Sequence, residues 1–446
     1  MRRFALLLGL VASLATTGGA QQQADLTPEE ARIVAARLLT SGHPQAALDV
    51  TSVLIKRDPD DGPSLIVQAQ ALRSLGRYGP AQKAARRAWA VSQYPLDRYA
   101  SALAMAQSLS ADGKRTRAQL WLRRAAQVAP NAQLKKRVAQ DYAYLRRTNP
   151  WSVNLSFGIR PSDNINNAPR DNKIPYNDIT LTAADPIAGF EVRSDVRLRY
   201  NFAEKSTQRH FFAFGWTESL VYFTGDDSTA VRDESDLAYR RIEGTFGRDF
   251  TSGPDRPRQT ISLSLGRIWS GSNTLADEVR VNWRQSFKRP EGRRFSWSAT
   301  LGYADRKDTD LASGFTGTLD GRWSKPLKNG GRLGWNAGLV RVDTDSPALT
   351  HSRLKLGVDY THPNEVFGAI ARIGMRAELR RYDDPTFTAD PRQDERAVLS
   401  ASLLFVDFDT YGFAPKLTLE ASRTDSNVPA FETQNLGLQI GFQSLF

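Results

Sequence analysis

From Trp151 onward the chain alternates apolar and polar residues with a period of two, and this pattern limits its fold more than any other feature. Trp151, Val153, Leu155, Phe157 and Ile159 are separated by Ser, Asn and Gly. Phe190, Val192, Val196, Leu198 and Tyr200 fall on one face of a strand, and Glu191, Arg193, Asp195, Arg197 and Arg199 on the other. The rule recurs through Phe295 to Tyr303, Leu354 to Tyr360 and Leu436 to Phe442. Strands of about ten residues with one apolar and one charged face suit a barrel embedded in lipid. Hydrocarbon offers no water to an open sheet edge, so such a sheet has to close on itself.

Fourteen runs fit this description, near 151–160, 190–201, 209–223, 236–248, 259–269, 277–287, 293–303, 313–323, 331–341, 351–360, 366–380, 395–406, 412–423 and 433–446. Their connections alternate. Tight turns rich in Pro, Gly or Asn are expected at Lys288 to Gly292, Lys325 to Gly330 and His362 to Asn364. Longer polar loops are expected at Pro161 to Gly189, Gly225 to Glu234 and Asp383 to Gln393. Short periplasmic turns and long outer loops match that asymmetry. A soluble β-sandwich also alternates, but it does not need so many runs of near-constant length with aromatics at their ends. The last residue, Phe446, resembles the terminal aromatic read as an insertion signal by the outer-membrane barrel assembly machinery.

The start of the chain is an address. Met1-Arg2-Arg3 is basic, Phe4 to Ala15 is apolar, and Gly18-Gly19-Ala20 offers small residues for a cut after Ala20. Residues 1–20 read as a secretory signal peptide, too short to span a bilayer as a helix. The 446 residues contain no Cys, which excludes disulfides, thiolate metal sites, thiol nucleophiles and a lipid-bearing cysteine. A mean hydropathy of −0.45 excludes a helical membrane protein, while nine Trp, thirteen Tyr and twenty-one Phe argue against disorder.

Residues 24–149 carry a different period. Thr27, Pro28 and Glu30 form a helix start of the capping-box kind. Gly42, Gly76 and Gly113 recur at spacings of 34 and 37, each followed five residues later by Ala47, Ala81 or Ala118. Pro59, Pro95 and Pro130 follow the second helix of each pair. Gly at the inter-helix turn, Ala at the packing position and Pro after the pair make the tetratricopeptide pattern, with room for about three hairpins. A generic helical bundle is the alternative. The expected architecture is therefore α + β multidomain: a signal peptide at 1–20, a periplasmic tetratricopeptide-like α-solenoid at 24–149 and a 14-stranded antiparallel transmembrane β-barrel at 150–446.

Net charge is concentrated in the helices. Of the total of +12, residues 24–149 hold +10 and the signal +2, leaving the barrel neutral. Arg86 with Arg87 and Arg123 with Arg124 are candidate contacts for an acidic client segment or for anionic membrane lipid. Each pair reads equally as ordinary solvated surface. Export from the cytoplasm disfavours nucleic acid as a partner.

Inside the barrel, Arg193, Arg197, Arg199, Arg372, Arg376 and Arg380 are expected to face the lumen, with Glu191, Asp195, Asp320, Asp359 and Glu378 among them. They would either balance one another and stiffen the wall or line a polar conduit for a polymer. No enzyme is expected. His210, His351 and His362 lie in no triad context, no His/Glu metal spacing occurs, and no cofactor is implied.

The barrel opening from Trp151 to Ala168, with Pro161, Asn164, Asn166 and Asn167, and the ending Gly441 to Phe446 resemble the surface lipoprotein assembly modifier (Slam) family. That resemblance implies an outer-membrane translocator that moves surface lipoproteins or secreted proteins from periplasm to cell surface. The helical domain would receive the client, or a periplasmic chaperone carrying it. The Asn164 to Asn167 turn reads equally as a structured loop start, because Asn tolerates left-handed backbone and bonds its own main chain. Exopolysaccharide export, and a passive porin with an accessory domain, are the alternative functions.

Overall fold

The computed structural model describes residues 26–176, 179–202, 207–224, 233–251, 253, 256–385 and 389–444. The expected signal peptide and Phe446 lie outside the described residues. Two compact units divide between Val138 and Ala139.

The first unit is built from helical hairpins. Helices α1 (Pro28–Thr40) and α2 (Pro44–Arg57), α3 (Gly62–Ser74) and α4 (Tyr78–Val91), and α5 (Pro95–Ala111) and α6 (Arg115–Gln127) pair in sequence, and α7 (Ala132–Thr148) follows. The capping box is present: the Glu30 N–H donates to Thr27 Oγ1, and the Thr27 N–H to Glu30 Oε2 at 2.8 Å. Gly42, Gly76 and Gly113 have φ of 81°, 73° and 75°. At each, the N–H one residue further on (His43, Arg77, Lys114) donates at 2.9 Å to the carbonyl five residues back. This is a Schellman C-cap, and its left-handed residue carries no steric cost only as glycine. Ala47, Ala81 and Ala118 are fully buried, so neighbouring helices approach closely. Between α4 and α5 the chain turns at Pro95, which takes the first helical position, where its missing N–H costs nothing.

The second unit is a closed antiparallel barrel of fourteen strands. They are β1 (Trp151–Ser162), β4 (Gly189–Asn201), β5 (Gln208–Phe223), β6 (Tyr239–Phe250), β7 (Arg258–Ser270), β8 (Asn273–Lys288), β9 (Arg294–Arg306), β10 (Gly314–Pro326), β11 (Arg332–Thr344), β12 (His351–Val366), β13 (Ala369–Tyr382), β14 (Gln393–Leu404), β15 (Phe413–Ser426) and β16 (Thr433–Ser444). Each pairs with its neighbours in sequence, and β16 returns to β1. A small hairpin, β2 (Lys173–Tyr176) with β3 (Ile179–Thr182), lies in the first loop.

Two details depart from the expectation. His362 to Asn364 is not a turn. Strand β12 runs through it to Val366, with a register break between Thr361 and Glu365 around Pro363, which has no N–H to give a ladder. The turn lies instead at Phe367 and Gly368, both at positive φ, the geometry of a two-residue hairpin connection. The β7–β8 connection, on the side of the long loops, is also tight, turning at Gly271 with φ 58°.

Candidate functional site

Curvature identifies the inner face of the barrel. Arg199 on β4 meets Asp249 on β6 at 2.6 Å, and Arg376 on β13 meets Glu420 on β15 at 2.7 Å. Each pair reaches across an intervening strand, and side chains two strands apart converge only on the concave side. Residues in register with these pairs therefore line the lumen. Their alternates, including Val153, Leu155, Leu265, Leu319, Leu339, Leu356, Leu399 and Leu419, form the exposed outer band. Aromatic pairs edge that band. Trp151 with Tyr200 and Trp323 with Trp335 lie at the turn end, and Phe190 with Tyr222 and Tyr303 with Phe315 at the loop end. Two aromatic girdles flanking an apolar belt are the pattern of an outer-membrane barrel.

All six lumen arginines named from the sequence face inward, and each has a carboxylate. Arg193 pairs with Asp195 at 3.1 Å, Arg197 with Glu243 at 3.8 Å, and Arg199 with Asp249. Arg372 pairs with Asp359 at 2.9 Å, Arg376 with Glu420, and Arg380 with Glu378 at 3.2 Å. The carboxylates sit deepest: Asp249 and Asp394 keep 7% of their side-chain surface, while Arg197 and Arg376 keep 70% and 57%. The wall is thus a mat of ion pairs with guanidinium edges toward lumen water. Charge-assisted bonds of this kind hold neighbouring strands in place and leave few bare charges to trap a passing chain.

These ion pairs are not spread evenly. One group spans β4 to β8 and also includes Arg241, which pairs with Glu278, and Arg280, which pairs with Glu243. The other spans β12 to β15 and includes Arg353, which pairs with Glu378. In the closed strand order β6 and β13 lie diametrically opposite, so the two groups face each other across the lumen. Between them run two strips where small polar residues predominate. Ser296, Ser298, Thr300 and Thr318 lie in one on β9 and β10, beside Asp320 and Arg322, which pair with Lys355 and Asp359 of β12. Asn154, Ser156, Gly158, Gly437 and Gly441 lie in the other on β1 and β16, beside Arg160, which pairs with Glu191.

The barrel-start residues hold the first loop. Asn164 is buried; its side chain accepts from the Ala168 N–H at 2.7 Å and donates to the Ala168 carbonyl at 2.9 Å. Asn166 accepts from the Ile187 N–H and donates to the Asp185 carbonyl, tying the outgoing limb of the loop to its return. Asn167 has φ 53°, the left-handed geometry that Asn tolerates. Pro161 lies in β1 opposite Phe190.

In the helical unit, Arg86 is exposed, and Arg87 reaches Asp60 at 3.2 Å. Arg124 stacks on Trp121 with its guanidinium 4.4 Å from the ring centre, and Arg98 stacks on Trp89 at 4.6 Å. Trp89 and Trp121 meet edge to face at 5.6 Å. Arg124 thereby belongs to a guanidinium–indole stack linking α4, α5 and α6, which its position in a basic pair did not reveal. Arg123 is half-buried beside it in sequence. Lys114 and then Gln82 bond the Asp112 carboxylate at the α5–α6 turn and hold it below its ordinary value. Among the described residues no cluster of His, Asp or Glu is placed to hold a metal ion.

Together these features define an outer-membrane-type β-barrel preceded by a tetratricopeptide-like helical domain. The resemblance to the surface lipoprotein assembly modifier family holds: residues 338–446, from β11 through β16, match the family model of that description. No curated protein matches the chain in sequence. Among solved structures, the chain is similar to the type III secretion translocator chaperone SycD of Yersinia enterocolitica, at 18% identity over 27% of this chain and 83% of that one, with a TM-score of 0.25. The TPR2B domain of yeast Sti1, in a pHsp70 complex, is similar at 20% identity over 27% of this chain and 97% of that one, with a TM-score of 0.25. A BenF-like porin from Pseudomonas fluorescens Pf-5 is similar at 10% identity over 66% and 99%, with a TM-score of 0.35.

Proposed function

We propose that the protein is an outer-membrane translocator that moves client proteins, surface lipoproteins or secreted proteins, from the periplasm to the cell surface. The observation that carries this reading is the family match over residues 338–446, which falls on a closed, lipid-facing barrel. The charge-balanced inner wall supports it, because a polypeptide of either charge can slide past paired guanidinium and carboxylate groups without a deep electrostatic trap. The helical domain lies in the periplasm on this reading. The chain enters β1 at the barrel end that carries the connections at 289–293, 327–331 and 367–368, the end of short turns. The helical domain's net charge of +10 then receives an acidic client segment or a chaperone that brings the client.

The test is a deletion strain, comparing surface-labelled proteins with and without the chain. Loss of particular surface proteins while they accumulate in the periplasm supports translocation. Loss of matrix polysaccharide with an unchanged surface proteome would replace this reading with sugar export, and impaired small-solute uptake alone would replace it with a passive porin.

A further inference from the structure

The wall is weakest where its ends meet. Strands β14 and β15 pair without a break from Asp394 with Ser426 to Leu404 with Lys416, and β15 and β16 from Phe413 with Ser444 to Thr424 with Thr433. Between β1 and β16 the paired positions among the described residues are Gly158 with Gly441, Ile159 with Ile440 and Ser162 with Gly437. Toward the turn end, Leu155 to Phe157 and Phe442 to Ser444 continue both strands in the same register. Among the described residues each pairs with its other neighbour, β4 or β15, and across the seam the Phe157 carbonyl points at β16, 2.9 Å from where a Gly441 Cβ would stand.

Sequence chemistry accounts for this. The Pro161 carbonyl points at β16, 3.4 Å from where a Gly437 Cβ would stand. In an antiparallel strand a residue's N–H points the same way as its carbonyl, and proline has none, so the ladder breaks between Ile159 and Ser162. Gly158, Gly437 and Gly441 line the same short stretch and contribute no side-chain packing across it.

The loop end of the seam is latched. Asn435 donates to Ser162 Oγ at 2.8 Å and to the Asn164 carbonyl at 2.9 Å, and the Leu436 N–H donates to Asp163 Oδ1 at 3.1 Å. The Arg170 N–H donates to the Glu432 carbonyl at 2.7 Å, and its side chain pairs with Glu432 and Asp425. A seam latched at one end and short of ladder bonds at the other has a hinge and a free edge. On its outer face lies a depression of about 670 Å³, lined by Ile159, Pro161, Phe190, Leu419, Leu436 and Leu438. On its inner face lies one of the two small polar strips of the lumen.

We propose that the β1–β16 seam is the lateral exit for a lipid-anchored polypeptide. The polypeptide occupies the lumen, its acyl chain lies in the outer depression, and the seam parts from the turn end toward the Asn164 latch. An unpaired backbone group facing hydrocarbon has no water to bond, so a parted edge favours the passing client's own extended backbone as a substitute partner. This inference rests on the export reading above and names its client as acylated.

The chain has no Cys of its own, so paired cysteines report cleanly. Ile159→Cys with Ile440→Cys places two thiols directly opposite across the seam, and Leu319→Cys with Leu339→Cys does so on the outer face of an unbroken ladder. Oxidation of the seam pair is expected to cut surface display of the proteins lost in the deletion strain by about tenfold or more, reversibly on reduction, with the control pair unaffected. Equal display with the seam oxidised and reduced would overturn the exit. Failure of the reduced variants and of the unsubstituted chain alike to restore any surface protein would instead overturn the export reading. The opening itself is then judged by hydrogen exchange of the full chain in nanodiscs. Amides of Leu155, Phe157 and Ser444, which point at the seam, exchanging about a hundredfold faster than those at 319–322 support it, and equal protection overturns it.

Discussion

Arg199 on β4 and Asp249 on β6 join at 2.6 Å although β5 lies between them, and the Arg199 guanidinium rests 3.6 Å from the ring centre of Phe211 on that strand. The Asp249 carboxylate also accepts from Arg258 at 2.7 Å and from Thr260 at 2.8 Å. One buried carboxylate therefore ties β4, β6 and β7 together. Asp249→Asn leaves a shielded guanidinium without its counter-charge and is expected to destabilise the barrel by roughly 2–3 kcal/mol. The temperature at which unboiled protein loses its folded gel mobility measures this. Asp343→Asn, at a well-exposed carboxylate 3.8 Å from Arg341, is the control, with a shift of about 0.5 kcal/mol or less.

The helical hairpins offer a test of sign. Gly76 has φ 73° and open space around it, so Gly76→Ala fits sterically but strains the backbone, costing about 1 kcal/mol. Gly79 sits within α4, also with open space, and Gly79→Ala is expected to stabilise by about 0.5 kcal/mol through the unfolded chain. Thermal loss of helical circular dichroism separates the two. Shifts in the same direction would contradict the assigned turn.

Asp112 gives a pH dependence. Its carboxylate is held below the ordinary value of 3.8 by Lys114 first and Gln82 second. A depressed carboxylate contributes stability in full above its unfolded value, and loses it as pH falls through the lower folded value. Wild type is therefore expected to melt above Asp112→Asn at neutral pH, with the difference closing as pH drops below 3.8. A difference that grows toward acid pH would contradict the pairing.

Reversing charge on the helical domain tests client reception. Arg86→Glu with Arg87→Glu is expected to lower surface display severalfold while the barrel keeps its heat-dependent gel mobility. Arg124→Glu also removes the stack on Trp121, so its effect is read beside the helical melt. Unchanged display in the Arg86 and Arg87 variant would remove the docking role.

Local chemistry and the need for closure were legible in the sequence, and the register in which the barrel closes was not. The dyad alternation located all fourteen barrel strands, because each strand must present one face to lipid whatever its neighbours are. Gly42, Gly76 and Gly113 marked their turns because left-handed backbone selects glycine. His362 to Asn364 looked like a turn because Pro and Asn usually are, but Phe367-Gly368 accepts the tighter geometry and leaves Pro363 in a broken ladder. The partners of Arg197 and Arg376 lie on strands two away, so no local pattern announces them. The short β1–β16 seam depends on the register in which the ends of the sheet meet, which is set only when the barrel closes. The β2–β3 hairpin has strands of only four residues each, so the alternation of Ile179, Thr180, Leu181 and Thr182 is too short to mark it within the first loop.

The central claim is a sealed, lipid-embedded cylinder made of residues 150–446. Gel mobility before and after boiling, on membranes washed with alkaline carbonate and extracted in detergent, tests it most directly. The account predicts that the chain stays with the washed membrane, needs detergent to leave it, and shifts in mobility on heating. A chain that washes free and runs identically boiled and unboiled would contradict it.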